Sequence, residues 1–309
     1  MASAARGPTL LAFDFDWSLL EENSDTFVIR ELGADALFEA SKGMPWTQRM
    51  DWVLKEAASQ LRRTPADVTA ALRRAPLHPS LAGLLRAAAS EGSSVSGGID
   101  VIILSDANTV YIDTILEHHG LQQHVLAVHT NPAEWRDGAL RVGPYHTQPH
   151  GCRHCPSNLC KGQVLTEFLS RQAAAGRAYS RVLYVGDGRG DYCPSALLLH
   201  GSSSSNGGSS STQSAVPPPC GASDNVVFAR EEYPDGLPCS LWVMLQQAHS
   251  VHSVHGGDDA GSRSAGTAAA SVSGTAGTPA GAAASRGVVG WTAPEQLAHL
   301  IRAELQLEE

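Results

Sequence analysis

The sequence predicts an α/β fold: a doubly wound, Rossmann-like parallel sheet with a helical cap inserted after its first strand. Three observations predict it. Short β-branched-rich runs alternate with stretches that show one apolar helical face. Those runs are apolar at nearly every position, as strands buried on both faces are. The stretch between the first two runs is long, helix-rich and without a strand of its own.

In chain order the strands fall at 10–15 (LLAFDF), 101–104 (VIIL), 125–129 (VLAVH), 182–185 (VLYV) and 226–228 (VVF). Helices at 109–119 and 161–175 lie between them and one at 240–249 follows the last, each with one apolar face. The excursion after the first strand contributes helices at 26–37, 47–63 and 65–75 and reads as a lid. Residues 139–145 form a short β-excursion ahead of a cysteine-bearing loop. The last helix spans 293–306, with Thr292 as N-cap and Glu295 closing a capping box. Two segments, 201–223 and 250–287, are dominated by Gly, Ser, Ala and Thr. They cannot bury enough apolar area to offset the entropy of ordering, which predicts flexible surface insertions. The core then comprises 8–20, 99–200, 224–249 and 288–309, and the helical cap 21–98.

With 22 Lys and Arg against 31 Asp and Glu, the 309-residue chain carries a net charge of −9. That argues against a general nucleic-acid binder and against attachment to anionic lipid by charge. No apolar run approaches the roughly 18 residues of a membrane span, and the amino terminus does not read as a secretory signal. Six cysteines, three of them bunched at Cys152, Cys155 and Cys160, do not resemble a secreted disulfide framework. A soluble protein in the reducing cytoplasm is expected.

The most informative residues follow the first strand: Asp14-Phe15-Asp16-Trp17-Ser18. In an extended chain, side chains two apart project together, here at the end of the strand where a parallel sheet opens its ligand crevice. A solvated acidic turn is the bland reading. The chemical one is a nucleophile beside a general acid/base kept protonatable by its anionic neighbour. The rest of the chain favours chemistry. Ser105-Asp106-Ala107-Asn108 closes the second strand ahead of a helix N-terminus, a natural seat for phosphate oxygens. Lys161 opens a helix, and Gly186-Asp187-Gly188-Arg189-Gly190-Asp191 follows the fourth strand with two hard oxygen ligands of the kind Mg2+ takes. Each motif is weak alone. Their order along an α/β chain is specific.

That order resembles the haloacid dehalogenase superfamily of phosphatases across nearly all of the chain outside the two insertions. At finer grain, Glu22-Asn23-Ser24-Asp25, Ser105-Asp106-Ala107-Asn108-Thr109, the 155–161 run CPSNLCK, Gly186-Asp187-Gly188 and Tyr192-Cys193-Pro194-Ser195 resemble the phosphoethanolamine/phosphocholine phosphatase family. Ser18 stands where many members carry Thr and keeps the hydroxyl. The resemblance implies that Asp14 attacks phosphorus and becomes an aspartyl-phosphate. Asp16 then protonates the leaving oxygen and later activates water. Mg2+ would be held by the Asp14 carboxylate, the Asp16 backbone carbonyl and Asp187, with Asp191 steadying the metal's water shell or Lys161, and Ser105 and Lys161 would hold the phosphoryl group.

The partner implied is a small phosphorylated substrate. Asp25 and Asp106 read either as charges that favour helix N-termini or as a seat for a cationic head group, and in the resembled family they are associated with the ammonium end of phosphoethanolamine or phosphocholine. Trp46 and Trp52 read more readily as core than as cation–π partners. Phrases such as Glu31-Leu32-Gly33, Met44-Pro45-Trp46 and Gly190-Asp191-Tyr192-Cys193-Pro194-Ser195 stand nearer the family's plant branch. That branch includes inorganic pyrophosphatases, and Lys42, Arg49 and Lys55 in the cap offer charge for a second phosphate. Pyridoxal phosphate is the other competing substrate.

Cys152-Arg153-His154-Cys155 and Cys160, with His146 and His150 nearby, have the composition of a zinc knuckle. A structural Zn2+ on Cys152, Cys155 and Cys160 is the minor reading beside buried or hydrogen-bonded thiols, because the spacing is irregular and a closed site needs four ligands. A catalytically inactive scaffold presenting the low-complexity loops is the reading of another class. It requires a lost catalytic group, and Asp14, Asp16, Ser105, Lys161 and Asp187 are all present.

Overall fold

The computed structural model describes residues 7–91, 97–200, 224–255 and 287–307. The apolar runs assemble into a six-stranded parallel sheet: β1 (Thr9–Phe13), β2 (Ile99–Asn108), β3 (Ala127–Asn131), β6 (Arg181–Gly186), β7 (Val226–Arg230) and β8 (Val288–Trp291), in the spatial order β3-β2-β1-β6-β7-β8. From β1 the chain lays β2 and β3 outward on one side and then β6, β7 and β8 on the other, so the order reverses between β1 and β6. That is the switch point at which doubly wound sheets open a crevice beyond their carboxyl ends.

Alternation along each strand explains the continuous apolar runs. Leu11, Phe13, Val101, Ile103, Leu183, Val185 and Phe228 face one layer, while Leu10, Ala12, Ile102, Leu104, Val182, Tyr184 and Val227 face the other. The first layer includes α5 (Pro79–Glu91), α6 (Thr109–His118) and α10 (Pro294–Leu305). The second is built by α7 (Lys161–Ala174), α8 (Tyr192–His200) and α9 (Ser240–His255). With both faces covered, no polar side of the strands is left to break the runs.

Between β1 and β2 come α1 (Ser24–Glu31), α2 (Asp35–Ala40), α3 (Trp46–Gln60), α4 (Pro65–Leu72) and α5. The last of these packs on β2 and α10, so it belongs to the sheet layers and not to the lid predicted over 21–98. Helices α1 to α4 pack on one another, on α6, and on a hairpin of β4 (Ala133–Arg136) and β5 (Ala139–Val142). Arg141 of the hairpin grips Asp51 of α3 with two bonds of 2.8 and 2.7 Å, and Val142 N–H adds a third at 3.0 Å.

Several boundaries differ from expectation for local reasons. Strand β1 stops at Phe13, because the chain turns at once: Phe15 N–H donates back to Asp14 Oδ1 at 2.6 Å, Leu19 and Leu20 N–H donate to the Phe15 carbonyl, and Trp17 takes a left-handed φ of 58°. Strand β3 starts two residues late, after a 3-10 turn at Gln122–His124. Helix α10 begins at Pro294 with Ala293 as N-cap, so the capping box of Thr292 and Glu295 does not form. Proline at the first position needs no N–H partner. Gln296 instead accepts from Thr292 N–H at 2.9 Å, and Glu295 pairs with His78 at 2.9 Å. The α9 backbone runs on to His255, past the predicted edge of the second insertion, since 250–255 contains no breaker before Gly256-Gly257. The remainder of that insertion up to residue 286, and 201–223, lie outside the described residues. Among the described residues no helix is long and apolar enough to cross a membrane.

Candidate active site

Register sets the site. Phe13 pairs with Ile103 on one side and Val185 on the other, so β1 and β6 end at neighbouring heights while β2 runs on to Asn108. Asp14 N–H still donates to the Val185 carbonyl at 2.9 Å. Its carboxylate therefore emerges beside Asp187, one residue beyond the end of β6, and one ligand oxygen from each of Asp14, Asp187 and Asp191 falls within 4.8 Å of the others. These three, with Lys161, Asp106, Asn23, Trp17, Tyr233 and the loop residues Arg153 and His154, line a cavity of about 600 Å³.

Lys161 is the cation of the cluster. It is buried, and its Nζ lies 2.8 Å from both Asp14 Oδ1 and Asp191 Oδ1. Burial alone would pull its pKa down, but the two carboxylates overcome that and hold it well above the usual value. Asp14 is pushed well up, by burial first and then by Asp191, against the pull of Lys161. Burial and Asp191 also raise Asp187, to about 7, while a 2.7 Å bond from Tyr233 Oη lowers it. Three carboxylates share one lysine, so the cluster is short of positive charge.

Asp191 differs from the other two. Its Oδ1 accepts from Lys161 and from Tyr184 Oη at 2.6 Å, and its Oδ2 accepts from Asp187 N–H at 3.2 Å and Gly188 N–H at 2.9 Å. Four donors fill the acceptor positions of one carboxylate. Of the two roles open to Asp191, steadying the metal's water shell or Lys161, these contacts support the second: it fixes Lys161 and the turn that carries Asp187. Gly186 makes this possible, since a Cβ there would stand 2.6 Å from Asp191 Cγ.

Asp16 is buried outside the cavity lining and its carboxylate is not part of the Asp14, Asp187 and Asp191 group. Oδ1 accepts from Ser24 N–H at 2.9 Å and Oδ2 from Asn23 Nδ2 at 3.1 Å. Burial, then the neighbouring Asp25, raise its pKa well above the ordinary range, the direction a general acid needs. Asp25 is also buried outside the lining, and Trp46 Nε1 donates to its Oδ2 at 2.7 Å. Trp46 thus holds an acid, its ring edge-on to Phe38. Ser105 is fully buried, off the lining, with its Oγ accepting from Ala107 N–H at 3.1 Å. Lys42, Arg49 and Lys55 do not line the cavity: Arg49 is spent on the Phe38 carbonyl and Ser41, and Lys55 faces a second cavity with Trp46 and Trp52. The basic side chains that do line it are Arg153, His154, Arg189 and Lys161.

Burial raises Asp25 to about 7, with Asp106 adding to the rise and Trp46 opposing it. An acid whose folded pKa lies above its unfolded value binds a proton in the folded state that the unfolded chain has released. Stability therefore falls as pH rises from about 4 to about 7. Asp25→Asn keeps an acceptor for Trp46 and removes that penalty. The expected result is a gain in urea midpoint over wild type that is absent at pH 4 and full at pH 8. A gain of equal size at both pH values would contradict it.

Arg230 and Tyr233 belong to none of the motifs read from the sequence. Arg230 donates to the Trp17 carbonyl at 2.6 Å and lies over the Trp17 and Trp291 rings, holding Trp17 in its left-handed conformation. Tyr233 stands edge-on to Trp17, with ring centroids 5.5 Å apart. Arg230 ends β7 and Tyr233 follows it, both remote in sequence from the Asp motifs they support, with no local pattern to mark them. The fourth thiol near the cysteine cluster, Cys193, is equally distant: the Sγ atoms of Cys152, Cys155, Cys160 and Cys193 all lie within 4.8 Å of one another.

Residues 9–202 match the family model described as Putative Phosphatase. The chain is 37% identical over 194 residues to a thiamine phosphate phosphatase-like protein of Arabidopsis thaliana, covering 61% of this chain and 76% of that one. It is 36% identical over 191 residues to inorganic pyrophosphatase 2 of Arabidopsis thaliana, covering 60% and 66%. To the phosphoethanolamine/phosphocholine phosphatase of Homo sapiens it is 35% identical over 208 residues, covering 65% and 74%.

Proposed function

The chain belongs to the Putative Phosphatase family, a family of phosphoric monoester hydrolases, and from that membership we propose that it hydrolyses a small phosphomonoester through an aspartyl-phosphate on Asp14. The observation that carries this reading is the convergence of Asp14, Lys161, Asp187 and Asp191 at the floor of one cavity.

Asp14 Oδ1 is tied to Phe15 N–H and Lys161, which leaves Oδ2 as the oxygen available to attack phosphorus. Lys161 faces the same cavity and draws the phosphoryl oxygens to it, and the Ser105 hydroxyl is a donor one residue from the lining Asp106. Asp16, its carboxyl raised by burial, holds the proton for the leaving oxygen and takes one from water in the second step. The Asp14 and Asp187 carboxylates are hard oxygen donors in a cluster short of positive charge, and they suit Mg2+. When bound there, that ion offsets the repulsion between an anionic nucleophile and an anionic phosphate. Phosphate release that persists at full rate in excess chelator would exclude this reading.

For the substrate we favour a phosphomonoester with a cationic head, phosphoethanolamine or phosphocholine. Asp106 lines the cavity and interacts through its charge with Asp25 and Asp16, both buried outside the lining, and a cation at Asp106 is what relieves the three. A specific observation supports pyrophosphate as second reading: Arg153, His154 and Arg189 also line the cavity, where a second phosphate would meet them. The two are separable by kcat/KM over phosphoethanolamine, phosphocholine, pyridoxal phosphate and pyrophosphate. Asp106→Asn is expected to lower the amine substrates about tenfold more than pyrophosphate, about 1.4 kcal/mol of discrimination. If Arg153→Ala instead costs pyrophosphate that margin while Asp106→Asn is neutral, the second reading replaces the first.

A further inference from the structure

Four thiols converge beside the cavity. Cys152 and Cys155 belong to the loop between β5 and α7, Cys160 is the N-cap of α7 directly before Lys161, and Cys193 stands in the first turn of α8, two residues after Asp191. The Cys193 Sγ lies 3.7 Å from that of Cys152 and 3.9 Å from that of Cys160. Disulfide sulfurs stand about 2.05 Å apart, so these are not bonded pairs. A tetrahedron of sulfurs around zinc, with Zn–S near 2.3 Å, has edges of about 3.8 Å, and the observed separations match that edge.

The backbone is shaped to bring the thiols together. Gly162 in the first turn of α7 is bare where Cys193 arrives: a Cβ would sit 2.5 Å from its Sγ. Cys160 and Cys193 also sit at the N-termini of α7 and α8, whose dipoles favour thiolate. Cys160 is buried and the other three are half-buried, which leaves an ion a path of entry.

We propose that Cys152, Cys155, Cys160 and Cys193 bind one Zn2+ as a closed, structural tetrathiolate that fastens the 143–160 loop to the N-termini of α7 and α8. Binding releases the protons of the four thiols and involves no redox change. With all four positions taken by sulfur the ion offers no place to substrate, so its work is mechanical. The loop supplies Arg153, His154 and Pro156 to the cavity wall, α7 supplies Lys161, and the turn before α8 supplies Asp191. The ion ties the wall to the lysine and the aspartate it faces. The ligands are C-x2-C-x4-C followed by a thiol 33 residues later, which is why local spacing shows only three of them.

The test is elemental analysis of the full chain, expressed with zinc and purified without chelator. One zinc per chain is expected, and reconstitution with Co2+ should give the intense visible absorption of a tetrahedral thiolate site. Cys193→Ser and Cys152→Ser should weaken zinc by about 100-fold or more in competition with a chromogenic chelator. Cys152→His, which keeps a zinc ligand, should retain the ion, as should Cys239→Ser, a thiol outside the cluster. Asp14→Asn should also retain one zinc, which keeps this outcome separate from loss of phosphatase chemistry. Less than half an equivalent of zinc, iron in its place, a disulfide among the four by mass spectrometry, or wild-type zinc affinity in Cys193→Ser would each overturn the proposal.

Discussion

Asp14→Asn is expected to lower kcat for phosphate release by at least about 1,000-fold, a loss of about 4 kcal/mol of transition-state stabilisation, with no loss of fold stability. Asparagine keeps an acceptor for Phe15 N–H and Lys161 but is no nucleophile. It also removes one of three carboxylates that compete for a single lysine, and repulsion from Asp191 and Asp187 contributes to the raised pKa of Asp14. The urea midpoint should therefore stay at or above that of wild type. Turnover within tenfold of wild type in a folded Asp14→Asn would remove the aspartyl-phosphate mechanism. A collapse of the midpoint would mean that Asp14 is mainly structural.

Lys161→Met is expected to fail in both respects. It removes the cation that Asp14 and Asp191 each contact at 2.8 Å, both buried, and strands their charges. Breaking a buried pair by removing one partner costs about 3–5 kcal/mol, to be read by urea unfolding at pH 7 in the absence of Mg2+. Activity should fall with it, since no other lysine lines the cavity among the described residues. The double variant Lys161→Met with Asp14→Asn should recover part of the stability, because one stranded carboxylate is gone. A single-variant loss under about 1 kcal/mol, outside the range for a broken buried pair, would show that the carboxylates are already neutral without the lysine.

The chemistry was legible where it sits in short motifs at strand ends. Asp14 and Asp187 follow buried strands, and the order of strand, carboxylate, lysine and carboxylate predicts a crevice that the register of β1, β2 and β6 then assembles. What was illegible depends on pairs far apart in sequence. Helix α5 looks like more of the cap until it packs on β2 and α10. Strand β8 is four residues beside a low-complexity stretch, and only pairing with β7 makes it a strand. Asp191 reads from the sequence as a support for the metal's water shell or for Lys161, and only the fold shows its four donors, Lys161 among them and two from the backbone of its own turn. Trp46 reads as core or ring and proves to be the donor to Asp25, 21 residues away.

The sequence by itself determined the α/β class, the burial of the strands on both faces and the candidate reacting groups, because side-chain periodicity and functional-group chemistry are local properties of the chain. The tertiary structure alone decided which carboxylates are free and which are saturated, that Arg230 and Tyr233 brace the turn after Asp14, and that a fourth thiol joins three others. Those outcomes depend on distances between segments tens to hundreds of residues apart, and such distances exist only once the sheet has set its strand order.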